Sequence, residues 1–382
     1  MRRETNNNIS LPKEIHRIIV DALGLNRTPE INQDRYNALR RELFLLSEDL
    51  VKTKSLTDKY SDAYFAYNFP TNFAKTIYIT RISLERHPAF FGGKTEIEIL
   101  DLGCGEGAGI FGAYYALREK FSLKQFHLTG IDRSEKMLAR SRAISTKVSE
   151  INPGVKTEFI RQNIDSNIFM TRQHKYDIVI FGNSLIEIIK TELISKSFIE
   201  RIIDCLTDQG LVIIVEPALK DFARRLMALR SIFIKYNMGH VLMPCIHLGP
   251  CPLLEISDRE EWCHMSIPWE PPGFLNRLNQ GLNREIDLLK FSYLIISKKH
   301  ASRKCNDGYL VISRPIKEKG KKKVFLCAAQ GRIELVRLDK DRSSENLQFD
   351  RIASGDIIHL KNPMVARPCY WQIKRGTQIR LS

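Results

Sequence analysis

Residues 96–117 read EIEILDLGCGEGAGIFGAYYAL, and the succession of textures in this stretch decides the fold. A short run of β-branched and acidic residues gives way to three glycines at alternate positions, Gly103, Gly105 and Gly107, and then to a long apolar segment. Strand, glycine turn and helix start in that order put bare backbone at the positive end of a helix, where the chain can turn sharply and a ligand can come close. The texture continues downstream. Apolar runs at 126–132, 157–162, 176–182 and 211–217 alternate with helical stretches, the pattern of a parallel sheet with crossover helices. A later run, KFSYLIISK at 290–298, is expected to return to that sheet.

Upstream, residues 11–23, 34–51 and 71–85 read as helices, the last beginning after Pro70. Beyond residue 300, runs at 308–313, 322–338 and 354–360 are separated by glycine and polar turns, which predicts a small β unit of compact, OB-like barrel type. The expected organisation is therefore a helical N-terminal region over 1–94, an α/β Rossmann-like domain over 95–300 with a cysteine-rich insert at 240–265, and a β-rich domain over 301–382.

The chain has 382 residues and 43% hydrophobic composition, enough for more than one core. Its longest apolar runs fall far short of the roughly 20 residues a membrane span needs, so no membrane partner is expected. The start, MRRETNNNIS, lacks the apolar run of a secretory signal. A bacterial cytosol is the expected compartment, with the mitochondrial matrix as the alternative. An excess of 59 Lys and Arg over 44 Asp and Glu, a formal charge of +15, favours a polyanionic partner, nucleic acid first. Part of that charge is local, in KEKGKKK at 317–323 and in ALKDFARRLMALRSIFIK at 218–235. In the second, an apolar stripe of Phe222, Leu226, Leu229 and Phe233 predicts a core-packed helix with a solvated basic face.

Asp101, two residues before the first glycine, completes a D-x-G-x-G-x-G arrangement that resembles class I S-adenosylmethionine-dependent methyltransferases, where the glycines admit the amino-acid end of the cofactor. Asp132, closing the second strand, offers a carboxylate able to accept both ribose hydroxyls. Asn163 and Asp165 after the third strand are expected at the adenine edge, and Asn183 after the fourth near the transferable methyl. Related enzymes acting on base amino groups use an N-P-P-Y-type loop after strand four, and 5-methylcytosine enzymes a Pro-Cys nucleophile. The chain has neither, so no catalytic residue is assigned and cofactor binding is better supported than turnover.

Eight cysteines without an export signal do not suggest a disulfide framework. Cys104 in the glycine turn, Cys205 in IERIIDCL and Cys369 in RPCYW read as small buried side chains. Cys245, Cys251 and Cys263 differ: they lie in CIHLGPCPLLEISDREEWC, with spacers of five and eleven residues that can wrap a soft metal centre. A fourth ligand is open among His247, His264, Cys305 and Cys327. Paired C-x2-C knuckles of the structural zinc type are absent here, and iron–sulfur clusters accept dispersed spacing, so a 4Fe–4S cluster is preferred and zinc is the alternative.

Taken together, LDLGCGEGAG, VEPALKDFARRLMALR, PCIHLGPCPLL, EWCHMS, KFSYLIISKK and SRPIKEKGKKKVFLCAAQGRIE resemble the methyltransferase-like assembly factors of the small ribosomal subunit, found in mitochondria and with bacterial relatives. The resemblance covers most of residues 60–335. It implies a S-adenosylmethionine-binding class I core and a four-cysteine 4Fe–4S site whose fourth ligand maps to Cys327 in LCAAQG. It further implies a partner in small-subunit rRNA and the pre-small ribosomal subunit, with rRNA methylation left open. The chain is expected to act as a monomer. A cluster so assembled would clamp the C-terminal unit to the core and set a basic surface, including Lys317, Lys319, Lys321, Lys322 and Lys323, against rRNA. Two further readings are a methyltransferase for a non-RNA substrate with structural zinc, and a non-catalytic scaffold with the same cofactors.

Overall fold

In the computed structural model, β1 (Glu96–Leu102) starts with exposed Glu96 and half-buried Glu98 alternating with buried Ile97 and Ile99, and ends fully buried. A strand covered by helices on both faces needs that burial. The structure describes residues 9–26, 28–53, 60–121, 125–164, 174–189, 192–255, 261–282, 284–299 and 308–381. Asp165 and Cys305 lie outside the described residues. The chain divides into one unit of residues 1–184 with 268–289 and another of 185–267 with 290–382.

In the first unit, β1 pairs in parallel with β2 (Gln125–Asp132) and with β4 (Tyr176–Gly182), and β2 pairs in parallel with β3 (Val155–Arg161). The order β3-β2-β1-β4, with α4 (Ala108–Lys120) and α5 (Glu135–Ile151) following β1 and β2, is that of the expected class I methyltransferase-like core. It reverses direction at β1, so a crevice opens where the carboxyl ends of β1 and β4 part. Both the glycine turn and Asn183 leave the sheet at that edge.

Three helices precede the sheet: α1 (Lys13–Ala22), α2 (Pro29–Thr53) and α3 (Ser61–Arg86). Contrary to the expected start after Pro70, α3 runs straight through that residue, whose ring is buried. Proline brings no N–H to the turn. There Asn68 donates to the Tyr64 carbonyl at 3.2 Å and Thr71 to the Tyr67 carbonyl at 3.1 Å, so side-chain donors surround the gap. A short α10 (Gly273–Asn279) belongs to the same unit, and Arg40 of α2 donates to its Arg277 carbonyl at 2.7 Å.

The second unit begins with α6 (Leu185–Ile188), α7 (Glu192–Asp204), β5 (Leu206–Pro217), α8 (Lys220–Lys235), β6 (His240–Met243), α9 (Pro252–Glu255) and β7 (Met265–Pro268). The late apolar run forms β8 (Leu288–Ser297), which lies antiparallel to β5 and β6 and also pairs with β7. Residues 308 onward form β9 (Tyr309–Val311), β10 (Ile316–Glu318), β11 (Lys321–Ala328), β12 (Gly331–Leu338), β13 (Ile357–Lys361), β14 (Met364–Arg367), β15 (Tyr370–Ile373) and β16 (Gln378–Leu381), in the order β14-β15-β12-β11-β9-β13-β16 with β10 on β11. Alternate residues of β11 and β12, Val324, Leu326, Ile333 and Leu335, meet Phe349, Ile358 and Ile373 in one core. No helix among the described residues is long and apolar enough to cross a membrane.

Helices α3 and α4 cross at Gly112, where an added Cβ would stand 2.8 Å from the Phe73 carbonyl oxygen and 3.2 Å from the Ile77 nitrogen. Backbone cannot swing aside as a side-chain tip can. Gly112→Val is expected to cost about 2–3 kcal/mol, read as a lower urea midpoint with an unchanged slope; a wild-type midpoint would refute the crossing.

Candidate functional site

The glycine turn is built from residues that other side chains could not replace. Gly103, Gly105 and Gly107 sit at φ 78°, 53° and 88°, the left-handed region open to glycine. At Gly103 a Cβ would also strike the Ser184 Cβ at 2.5 Å. Two acids hold the turn. Asp132 accepts from the Gly105 N–H and from the Ser134 N–H, each at 2.8 Å. A carboxylate has about four lone-pair sites, so both oxygens retain acceptor capacity for hydroxyls. Asp101 is 1% exposed and accepts from the Ile110 N–H at 2.9 Å, while its Oδ1 has no hydrogen-bond partner among the described residues. Asp101 therefore braces the helix start from inside. Asn183 has φ 60° and a buried Oδ1 without a partner among the described residues. Asn163 is exposed.

Glu106, inside the turn, is a functional candidate that motif reading passes over. It is 6% exposed and pairs with Arg140 of α5 at 3.2 Å. Arg140 also pairs with Asp62 of α3 and lies 4.5 Å over the Phe65 ring, and Asp62 pairs in turn with Arg35 of α2. A chain of hydrogen-bonded polar side chains thus ties the N-terminal helices to the turn.

The cysteine segment leaves β6 after a cis Met243–Pro244 peptide. Cys251 and Cys327 are buried, and Cys245 and Cys263 are half-buried. All four line one cavity of about 50 Å³, together with Arg230, His247 and His264. That is several times the roughly 10–15 Å³ that one water needs. Yet no three of the four sulfurs lie within 4.8 Å of one another; among the described residues only Glu96, Glu98 and His127 meet that spacing. A single zinc ion with bonds of about 2.3 Å draws its thiolates to within about 3.8 Å of each other. Four convergent thiols are a donor set suited to a soft metal centre, zinc or iron–sulfur. Burial and the three neighbouring thiols push Cys263 well above the usual thiol range, and burial followed by Cys245 and Cys251 pushes Cys327 up to about 12.

The segment is better packed than its Pro and Gly content predicts. Cys251 shares a core with Met227 and Leu253, against Leu254, Trp262 and Cys263. The Trp262 indole donates to the Ala218 carbonyl at 2.9 Å, and Ser292 of β8 donates to the Cys263 carbonyl at 2.7 Å. Nor does α8 keep a solvated basic face: Arg224 donates to the Glu261 carbonyl at 2.8 Å, Arg225 to the Ile189 carbonyl at 2.5 Å, and Arg230 is buried. These arginines are spent on loop carbonyls.

A family model described as "Mitochondrial small ribosomal subunit Rsm22" matches residues 58–357. The chain belongs to the Rsm22 family. No curated protein matches it. Similar solved structures include a class I S-adenosylmethionine-dependent methyltransferase from Listeria monocytogenes, at 14% identity over 76% of this chain and 88% of that one, with a TM-score of 0.37. A TehB-like methyltransferase from Corynebacterium glutamicum has 12% identity over 61% and 98%, with a TM-score of 0.32. CalS10, an amino pentose methyltransferase from Micromonospora echinaspora, has 11% identity over 74% and 80%, with a TM-score of 0.30. Likeness at that level says nothing of substrate.

Two expectations for this Rsm22 chain need correction. Lys322 is buried with its Nζ on the Phe349 carbonyl at 2.7 Å, while Lys321 and Lys323 pair with Glu318 at 2.9 and 2.8 Å. Of the lysine run only Lys317 and Lys319 are exposed without an ion pair among the described residues. Cys369 is exposed rather than buried, because it occupies φ 63° in the tight connection between β14 and β15.

Glu216, at the end of β5, is wholly buried and accepts from the Ile186 N–H at 3.1 Å. Burial pushes Asp101, Glu106 and Glu216 each up to about 8. Unfolded, such carboxyls lose their protons near pH 4. Between about pH 4 and pH 8 the fold therefore binds more protons than the unfolded chain, and stability falls as the pH rises. Glu216→Gln removes one such contribution: its melting temperature is expected to match wild type near pH 4 and exceed it at pH 8. An unchanged decline would contradict the burial effect.

Proposed function

We propose that this Rsm22 chain is a S-adenosylmethionine-binding, iron–sulfur-containing factor of the small ribosomal subunit that acts on the subunit through its rRNA. The observation that carries the reading is the meeting of four thiols, three from one loop and Cys327 from β11, around one cavity. Cys245, Cys251, Cys263 and Cys327 would ligate a 4Fe–4S cluster. A single zinc ion on the same four thiols is the alternative. A cluster bridging that loop and β11 contributes its binding energy to folding of the second unit.

For the nucleotide cofactor, Gly103, Gly105 and Gly107 would leave room for the amino-acid end and Asp132 would accept the ribose hydroxyls. Asn163, with Asp165, would meet the adenine, and Asn183 would lie near the methyl. Bound S-adenosylmethionine supplies an electrophilic methyl group. No residue of the chain is assigned to the transfer, and rRNA methylation remains an activity to be assayed on isolated small subunits. The ribosomal partner rests on the family description and on the charge of +15. That description also favours the mitochondrial matrix over a bacterial cytosol.

Paired substitutions separate the two cofactors. Cys251→Ser with Cys327→Ser is expected to abolish the visible iron–sulfur absorbance and to weaken retention of small-subunit rRNA at least tenfold. Asp132→Ala is expected to weaken S-adenosylmethionine binding at least tenfold by calorimetry while leaving that absorbance in place. Cysteine variants that keep both colour and rRNA would sink the proposal.

A further inference from the structure

Helix α8 turns one face to the cysteine segment, with Arg224, Met227 and Arg230 following one another at three-residue spacing. Met227 accepts the Cys263 N–H on its sulfur at 3.3 Å. Arg230 reaches deepest. It is 2% exposed and lines the cavity with the four cysteines. Its Nη1 donates to the Gly249 carbonyl at 3.0 Å and its Nη2 to the His247 carbonyl at 2.7 Å. Its Nε is buried and has no hydrogen-bond partner among the described residues.

Two carbonyl dipoles satisfy two donors but do not cancel a unit charge. An arginine cannot shed its proton, and among the described residues no carboxylate pairs with this one, so its burial leaves an uncompensated charge. Neutral thiols provide no compensation. Thiolates on a metal do, because four of them outweigh the positive charge of a four-iron core and leave the assembled centre an anion. We infer that Arg230 is the counter-ion of the metal centre in this cavity, a positioning residue that fixes the 245–251 segment and raises the centre's reduction potential. The inference rests on the reading that the four cysteines bind a metal cluster. Reduction adds a negative charge, which a fixed cation in a poorly solvated cavity favours.

The test is a redox titration of the full-length chain, followed by visible absorbance and by electron paramagnetic resonance, for wild type, Arg230→Lys and Arg230→Gln. Glutamine removes the charge, and its midpoint is expected to fall by at least a tenfold change in the reduction equilibrium, about 59 mV for one electron. Lysine keeps the charge without the fork and is expected to stay within threefold of wild type. A loaded glutamine variant with the wild-type midpoint overturns the counter-ion role, as does a lysine variant shifted as far as glutamine. Should the glutamine variant take up no cluster, Co²⁺ titration of the metal-free proteins decides. Affinity lost at least tenfold with glutamine but retained within threefold with lysine supports the role; equal affinities reject it. A wild-type chain that carries neither iron nor sulfide defeats the cluster reading instead, and the Co²⁺ comparison then judges Arg230 by itself.

Discussion

Convergence of four thiols and one buried guanidinium around a single cavity is the constraint on which the second unit is built. Burial and mutual proximity keep the thiols in their neutral form, and among the described residues the hydrogen-bond partners of the cation are two carbonyl oxygens. What makes the set tenable is that opposite requirements are brought together. On the proposed reading a metal would take the place of the thiol protons, and the resulting anion would answer the arginine. The neighbouring contacts serve that placement. Ser292 and Arg224 hold the segment by its backbone carbonyls and Trp262 anchors it through its indole, so none of these contacts uses a cysteine side chain.

The first unit meets a different constraint, which is to expose backbone at a sheet edge without letting it collapse. Asp132 fastens the glycine turn from one side through two N–H groups, and Asp101 braces the start of α4 from within. Glu106 then links the turn through Arg140 and Asp62 to the helices that precede the sheet. Those helices are thus part of the architecture that holds the candidate cofactor turn, which gives the N-terminal region a physical role beyond covering the core.

Periodicity and punctuation made most of the first unit legible, because long β-branched runs and a glycine turn are local signals. Elements governed by distant partners were not. Strands β6 and β7 have four residues each, too few for any period to register. The antiparallel sense of β8 depends on its route through the chain, not on its composition. Pro70 lies within α3 with its ring buried, so packing outweighs the missing N–H. Charge misled most. Lys321, Lys322 and Lys323 read as a basic patch, but β10 and β12 bring Glu318 and Glu334 beside them and Phe349 places a carbonyl on Lys322. Likewise α8 reads as amphipathic with a wet basic side, while the fold directs Arg224 and Arg230 into a loop that is far along the sequence. The three clustered cysteines stand out in the sequence, whereas the nearness of Cys327 is a property of the fold, since β11 must first be folded beside them.

The cavity is proposed to hold a multi-iron centre. The most direct test is the metal and sulfide content of the full-length chain purified from cells without oxygen. About four iron and about four inorganic sulfide per chain are expected, with little zinc and a brown colour that bleaches on oxidation. One zinc per chain without sulfide, at full stability, would contradict it.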